Sequence, residues 1–368
     1  MTSDLIRPEV AALPDYNAGL ALDRFRAIYG IEARAKLDSN ESPLGPSPAA
    51  VEAIRHAAAG TGRYPDASDQ ALRDAIGAEN DTPPEAVILG NGSEDLINAI
   101  FRTVLRAGDE VVTICPSFGL HEFGAQAVGA LVHKIAFLPD WSFPVDGLVR
   151  AMGTRTRVLI FSSPSNPAGP AITRDEFTRL IAGVPPHVLV VFDEAYREYL
   201  AGDASFDALA MLRDAGLSWI SLRTFSKAYG LAGARVGYGI CSDPALTQAL
   251  RKTRNPFAVN ALAGAAALAA LQDRDHLQRN VALTVAERSR VAQALHQAGH
   301  EVAPSEANFL FFRTPGKAAD FVEALRRQGV LIKAWQEEPF LDWARVTIST
   351  PAENDIFLQA VAMVGAGV

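Results

Sequence analysis

Residues 223–239 read RTFSKAYGLAGARVGYG, and this stretch decides how the rest of the chain is read. The apolar residues of 217–222 just before it predict a buried strand. The chain then turns through Thr224, Ser226 and Lys227, passes two glycines and re-enters an apolar run after Arg235. A lysine just beyond a strand, between hydroxyls and an arginine, has a chemical use. Its amine can form a Schiff base with an aldehyde cofactor while the neighbouring donors hold a phosphate. Taken alone, however, a loop lysine is ordinarily a solvated surface residue.

Working outward towards the N-terminus, short apolar strands are expected at 87–89, 110–114, 130–137, 158–161 and 188–192. Helices are expected between them at 93–105 (with Ser93 as its capping residue), 118–127, 145–152, 174–182 and 206–214. Uniformly apolar strands divided by amphipathic helices predict an α/β fold, with a mostly parallel central sheet covered by helices. Helices at 48–59 and 68–76 precede this alternation, and the first 45 residues are irregular apart from a short helix at 20–29. On the C-terminal side helices dominate from Pro244 to about Ala298, the longest at 276–298. A strand at 308–312, a helix at 318–328, strands at 330–333 and 345–348 and a helix at 353–364 then make a smaller α/β module. The expected organisation is an N-terminal arm over 1–45, a large domain over 46–250 and a small domain over 251–368.

Composition narrows the function classes. A formal charge of -8 without a basic block argues against a nucleic-acid partner. The two cysteines, Cys115 and Cys241, each sit in or beside apolar runs and read as reduced core thiols of a cytoplasmic protein. The opening residues show neither an apolar block nor a basic leader. The alanine-rich run at 258–271 reads as a buried helix and not a membrane span.

Three more segments follow predicted strands or open helices, where open parallel sheets hold ligands. Gly90-Asn91-Gly92 leads into Ser93 and Glu94, whose backbone donors at a helix start can hold phosphate or simply begin a helix. Ser163-Pro164-Ser165-Asn166-Pro167 fixes an asparagine between prolines, as an ordinary turn also would. Asp193 follows five apolar residues, and a buried carboxylate needs a cationic partner or the N–H groups of a following helix. A protonated pyridine nitrogen would serve as that partner, with Tyr196 donating to the ring oxygen. Phe118 is placed to cover a ring face, or to pack in the core. An amine for an aldehyde, an acid for a ring nitrogen, donors for a ring oxygen and a phosphate cup together specify pyridoxal 5'-phosphate, with no metal.

The chain resembles the pyridoxal-phosphate enzymes of the aspartate aminotransferase fold (PLP fold type I), and specifically the histidinol-phosphate aminotransferase family. The similarity runs from SNESPLG at 39–45 and RYPD at 63–66, through SKAYGLAGARVGY at 226–238, to RVTIST at 345–350. The resemblance implies that Lys227 binds the cofactor covalently, that Asp193 pairs with the pyridine nitrogen and that Asn166 and Tyr196 bond the phenolic oxygen. It assigns Ser93, Glu94, Thr224, Ser226 and Arg235 to the phosphate cup, joined by Tyr64 from the other subunit of a homodimer with shared active sites. Phe118 stands where an aromatic stacks on the ring, Arg345 grips the α-carboxylate, and Tyr16 is the arm tyrosine that reaches the neighbour's substrate. Two departures stand out. Lys333 occupies the place of an arginine that contacts substrate phosphate, and lysine lacks the planar fork. The arm also lacks a proline directly before Tyr16. The implied activity is amino transfer between L-histidinol phosphate and 2-oxoglutarate, in histidine biosynthesis. The alternatives are an aromatic amino acid aminotransferase, an amino acid decarboxylase on the same cofactor, and a catalytically silent binding or regulatory protein.

Overall fold

The computed structural model describes residues 5–15 and 17–365. Twelve strands occur among them: β1 (Ala35–Lys36), β2 (Val87–Gly90), β3 (Glu110–Cys115), β4 (Leu131–Ala136), β5 (Thr156–Ser162), β6 (Leu189–Asp193), β7 (Trp219–Thr224), β8 (Gly237–Cys241), β9 (Phe309–Arg313), β10 (Val330–Leu331), β11 (Lys333–Ala334) and β12 (Trp343–Thr347). Seven form one sheet in the order β2-β8-β7-β6-β5-β3-β4. Strands β4, β3, β5, β6 and β7 pair in parallel, and β8 runs antiparallel to both neighbours. This is the mixed α/β, largely parallel sheet that the apolar strands predict.

Side-chain alternation explains why those strands read as continuous apolar runs. Leu159 and Phe161 of β5, with Val190 and Phe192 of β6, enter one core; it includes Leu148, Phe177, Leu180, Leu212 and Ala267 from helices on that face. Val158 and Ile160, with Val191, enter a second core against Ile97, Ile100 and Phe101 on the opposite face. Both faces are covered, so both sets of positions must be apolar. The alanine-rich run forms the helix Ala261–Gln272, packed on the helix Pro48–Ala58. Its buried alanines belong to the first core. No helix among the described residues is long and apolar enough to cross a membrane.

The C-terminal part builds an antiparallel sheet, β11-β12-β9, over a third core that includes Phe312, Phe321, Val346 and Phe357. The strand expected at 330–333 is divided. Val330 and Leu331 pair with Ala35 and Lys36, whereas Lys333 and Ala334 pair with Arg345 and Ala344. Ile332 is the point at which the chain changes partner, which local sequence cannot specify. Ala35 and Leu37 belong to this core, and Leu37 bridges the two C-terminal sheets through Leu331 and Thr347. Earlier in the chain, the short helix Pro8–Ala11 lies against the helix Gly119–Ala127, with Arg7 Nη2 donating to Ala127 O at 2.6 Å.

Candidate functional site

The carboxyl ends of the parallel strands open on a cleft of about 890 Å³, which residues 14, 15 and 17–21 and the segment after β11 also line. Ser93, Glu94, Phe118, Asn166, Asp193, Tyr196, Thr224, Ser226, Lys227, Arg235, Lys333 and Arg345 all line it. Ten of these residues end or follow strands of the large sheet, as expected of an open α/β sheet, and Lys333 and Arg345 come from the C-terminal sheet.

At one end lies an anion cradle. The helix Ser93–Val104 begins here, with its first backbone N–H groups unsatisfied within the helix. Ser93 is not the cap the sequence suggests. Gly92 takes that place at φ 80°, and Ser93 is the first helical residue. A Cβ on Gly92 would lie 2.6 Å from Arg235 Nη2, and one on Gly237 would lie 2.5 Å from Ser93 N. Glycine at both positions therefore leaves room for Arg235 to meet the helix start. Arg235 Nη1 donates to Ser226 Oγ at 3.4 Å, and its Nη2 sits 3.7 Å from the Glu94 carboxylate. Thr224 Oγ1 accepts the Ser226 N–H at 3.1 Å and fixes that turn. A helix start, hydroxyls and a guanidinium form a donor set suited to a phosphate. Glu94 can contribute through its backbone N–H.

At the cleft floor, Asp193 ends β6 and is almost wholly buried. Its Oδ1 accepts the Ala195 N–H at 3.0 Å, a local turn bond, and its Oδ2 lies 3.2 Å from His121 Nε2. His121 is fully buried, and its Nδ1 is 3.2 Å from Ser117 Oγ. Sequence reasoning assigned His121 no role, although it lies three residues after Phe118 and one turn from Ser117. Phe118 precedes the helix Gly119–Ala127 in extended backbone and meets His121 edge-on at 5.6 Å. Asn40 was also missed as an individual residue. Its φ of 53° and four hydrogen bonds, from its N–H and Nδ2 and to its O and Oδ1, fix it. Through Nδ2 it donates to Tyr196 Oη at 3.0 Å.

Lys227 reaches the same cavity and donates to Ser39 O at 3.3 Å. Burial, reinforced by the Arg345 charge, lowers its pKa to about 8. Burial and Arg345 also lower Lys333 to about 8. Arg345 is itself buried, donating to Asn166 Oδ1 at 2.6 Å and Asp38 O at 2.9 Å. It thereby aims the asparagine that the two flanking prolines present. Lys333 Nζ donates to Asn17 O at 2.6 Å. The lowered value at Lys227 has a sign that can be tested. An unfolded lysine titrates near 10.4 and the folded one near 8, so between these values the unfolded chain holds more protons. Stability should rise with pH across that window. The cofactor-free protein should therefore gain denaturation midpoint from pH 8 to pH 10 relative to Lys227→Met. Parallel midpoints for the two proteins over that range would contradict the burial of this amine.

Tyr64 does not enter its own chain's cleft. It is largely exposed, stacks on Phe257 at 4.7 Å and lines a separate surface hollow with Arg63, Pro65 and Asn260. Tyr16 lies outside the described residues. Cys115 and Cys241 are both buried thiols, and burial pushes each up to about 12, as befits unreactive core groups.

The cradle, the buried acid and the buried amine fit pyridoxal phosphate. A phosphate suits the cradle made possible by Gly92 and Gly237, and Asp193 and Lys227 are an acid and an amine of the kind that its ring and aldehyde would require. Comparison with known proteins agrees. The family model for aminotransferase class I and II matches residues 34–361. Histidinol-phosphate aminotransferase 3 of Rhizobium meliloti is 45% identical over 361 residues, covering 98% of each chain. An aromatic amino acid aminotransferase of Mycolicibacterium vanbaalenii is 36% identical over 353 residues, covering 96% of each. Among solved structures, the histidinol-phosphate aminotransferase of Sinorhizobium meliloti in complex with pyridoxal-5'-phosphate superposes with a TM-score of 0.88 at 29% identity, over 98% of each chain.

Proposed function

Since the chain belongs to the histidinol-phosphate aminotransferase family of class I and II aminotransferases, we propose that it transfers the amino group between L-histidinol phosphate and 2-oxoglutarate. The observation that carries this reading is the placing of two cations, Arg345 and Lys333, in the cleft that holds Lys227 and Asp193. One pocket must serve two unlike anions. Histidinol phosphate has no α-carboxylate and brings a phosphate; glutamate brings two carboxylates. Arg345 offers a planar fork for an α-carboxylate, and Lys333, anchored on Asn17 O, adds a second cationic group at the same wall of the cleft.

Pyridoxal phosphate, when bound, supplies an aldehyde to hold the amine and a protonated ring to accept the electron pair left at the substrate carbon. Ser93, Glu94, Ser226 and Arg235 would hold its phosphate and Asp193 its ring nitrogen. Asn166 and Tyr196 would meet its ring oxygen, and Phe118 would cover its face. Lys227 carries the proton on and off the substrate carbon, an assignment suited to an amine whose pKa is lowered to about 8. Residues 14, 15 and 17–21 and the segment after β11 line the mouth and would limit the entry of water. A homodimer would add Tyr16 and Tyr64 of each subunit to the other's cleft. The exposed Tyr64–Phe257 stack is available for that contact.

A second reading, an aromatic amino acid aminotransferase, is favoured by lysine instead of arginine at 333 and by the aromatic lining of Phe123 and Trp335. A panel of amino donors separates the two. Lys333→Ala should lower kcat/KM for histidinol phosphate by about 10- to 100-fold, since a charge-assisted bond is worth ~1.5–3 kcal/mol. Phenylalanine, with no phosphate, should lose less than about threefold. Equal losses across the panel would make Lys333 a structural residue. A parental enzyme far faster with phenylalanine or tyrosine than with histidinol phosphate would overturn the substrate assignment and leave amino transfer standing.

A further inference from the structure

Trp335 follows β11 two positions after Lys333, so strand alternation directs both side chains to the same side, and both line the cleft. Its backbone is pinned by its N–H to Trp343 O at 2.9 Å, and its ring packs edge-on against Phe311 at 6.0 Å. The indole N–H points to Glu337 Oε2 at 3.3 Å. Glu337 Oε1 in turn accepts from Lys134 Nζ at 2.9 Å, and Lys134 also donates to Glu122 Oε2 at 3.1 Å. Lys134 belongs to β4 of the large sheet and Glu122 to the helix Gly119–Ala127, whereas Trp335 and Glu337 lie in the loop joining β11 to β12 of the C-terminal sheet. The ion pairs therefore tie the segment carrying Trp335 to the large sheet across the cleft. Glu122, Phe123, Lys134 and Glu337 all line the same cavity.

In histidinol phosphate the amino-bearing carbon carries two arms, one ending in phosphate and one in an imidazole ring. If Arg345 and Lys333 take the anionic arm, the ring must find another wall. Trp335 lies two positions beyond Lys333 on the same side of the chain, and Phe123 supplies a further apolar surface. We infer that Trp335 is a specificity-determining residue that receives the planar ring of the amino donor. Lys134 and Glu337 act as positioning residues that hold the indole in place. This rests on the proposed reading only in taking the donor to carry a ring; it serves an imidazole or a phenyl ring alike, and glutamate has none for it to meet.

The test uses the holoenzyme and three unreactive acids: 3-(imidazol-4-yl)propanoate, 3-phenylpropanoate and glutarate. Binding is measured by calorimetry, alongside kcat/KM for histidinol phosphate, phenylalanine and glutamate. Trp335→Leu should weaken both ring acids by about tenfold, the scale of one lost aromatic contact with its buried area, and glutarate by less than about twofold. Trp335→Phe should restore most ring binding. Glu337→Leu and Lys134→Met should weaken the ring acids by about threefold to fivefold with glutarate unchanged, because the indole remains but loses its acceptor or the ion pair that fixes that acceptor. Equal weakening of ring and ringless acids, or unaltered ring binding in Trp335→Leu, overturns the inference. If the parental enzyme ignores histidinol phosphate while Trp335→Leu still loses phenyl binding selectively, the substrate reading falls and the ring wall stands. If it uses histidinol phosphate well and Trp335→Leu binds both ring acids normally, the ring wall alone falls.

Discussion

Lys227→Ala should abolish turnover with every donor, by about 10⁴-fold or more, and should leave the purified protein without visible absorbance of its own. Two proposed functions would vanish together in that substitution: the covalent hold on the cofactor and the proton carrier at the substrate carbon. No neighbour can substitute. Lys333 and Arg345 share the cleft, but Lys333 is engaged with Asn17 O and Arg345 with Asn166 and Asp38. An arginine, moreover, stays protonated at any working pH. The fold should survive, since the amine makes one long bond to Ser39 O and its burial costs stability. Steady-state rates with histidinol phosphate and with phenylalanine, beside a thermal melt, decide the matter. A variant that melts like the parent and turns over at the parental rate would sink the aminotransferase assignment and favour a silent binding role. The same variant tests the shared sites. Mixed with a defective Tyr64→Ala subunit it should regain part of the activity, because one cleft of the hybrid would then be intact. Failure to recover, with subunit exchange demonstrated, would make each cleft self-contained.

The large sheet and the cleft were legible in the sequence for a common physical reason. Strands such as β5 and β6 are buried on both faces and must be apolar throughout, so they stand out as short runs. The polar residue ending each run falls at the carboxyl edge of the sheet, where ligands bind. Asn166, Asp193 and Lys227 were found by that rule together with the family motifs. Features that depend on remote partners were not visible. The helix expected at 68–76 runs from Gln70 to Glu79 and passes through Gly77, where a Cβ would lie 2.6 Å from Thr82 O. The glycine there serves a close approach and not a stop. Similarly, the exchange of partners at Ile332 rests on Ala35 and Arg345, hundreds of residues and a dozen residues away respectively.

His121 and Asn40 illustrate the same limit within the site. A histidine in HEFGAQA is an ordinary helical residue by sequence, and only the fold brings its Nε2 to a carboxylate 72 residues later. Asn40 sits in a quoted motif, but its role depends on Thr347, Asn308 and Tyr196, which the sequence scatters. A positive φ at a non-glycine residue is a signal that coordinates carry and sequence only hints at, through asparagine's tolerance of that conformation.

Asp193→Asn should keep the fold and lose about 10²-fold or more in single-turnover rate, a loss of about 2.7 kcal/mol of transition-state stabilisation. The shapes of the two side chains match. An amide oxygen can still accept the Ala195 N–H that Asp193 Oδ1 accepts at 3.0 Å, so the local turn has no reason to open. What disappears is the negative charge, in a nearly dry position at the end of β6. A fixed charge in a poorly solvated site is worth far more than one in bulk solvent. Without it the proposed ring nitrogen loses the partner that keeps it protonated, and the substrate carbon loses its electron sink. His121 supplies a control with a different signature. It touches Asp193 Oδ2 from behind and would not contact substrate, so His121→Asn should reduce the rate by about tenfold and leave the KM for both donors near the parental value. A loss in KM alone, in either variant, would place this pair in substrate binding instead. Near-parental single-turnover kinetics in Asp193→Asn would remove Asp193 from the chemistry altogether.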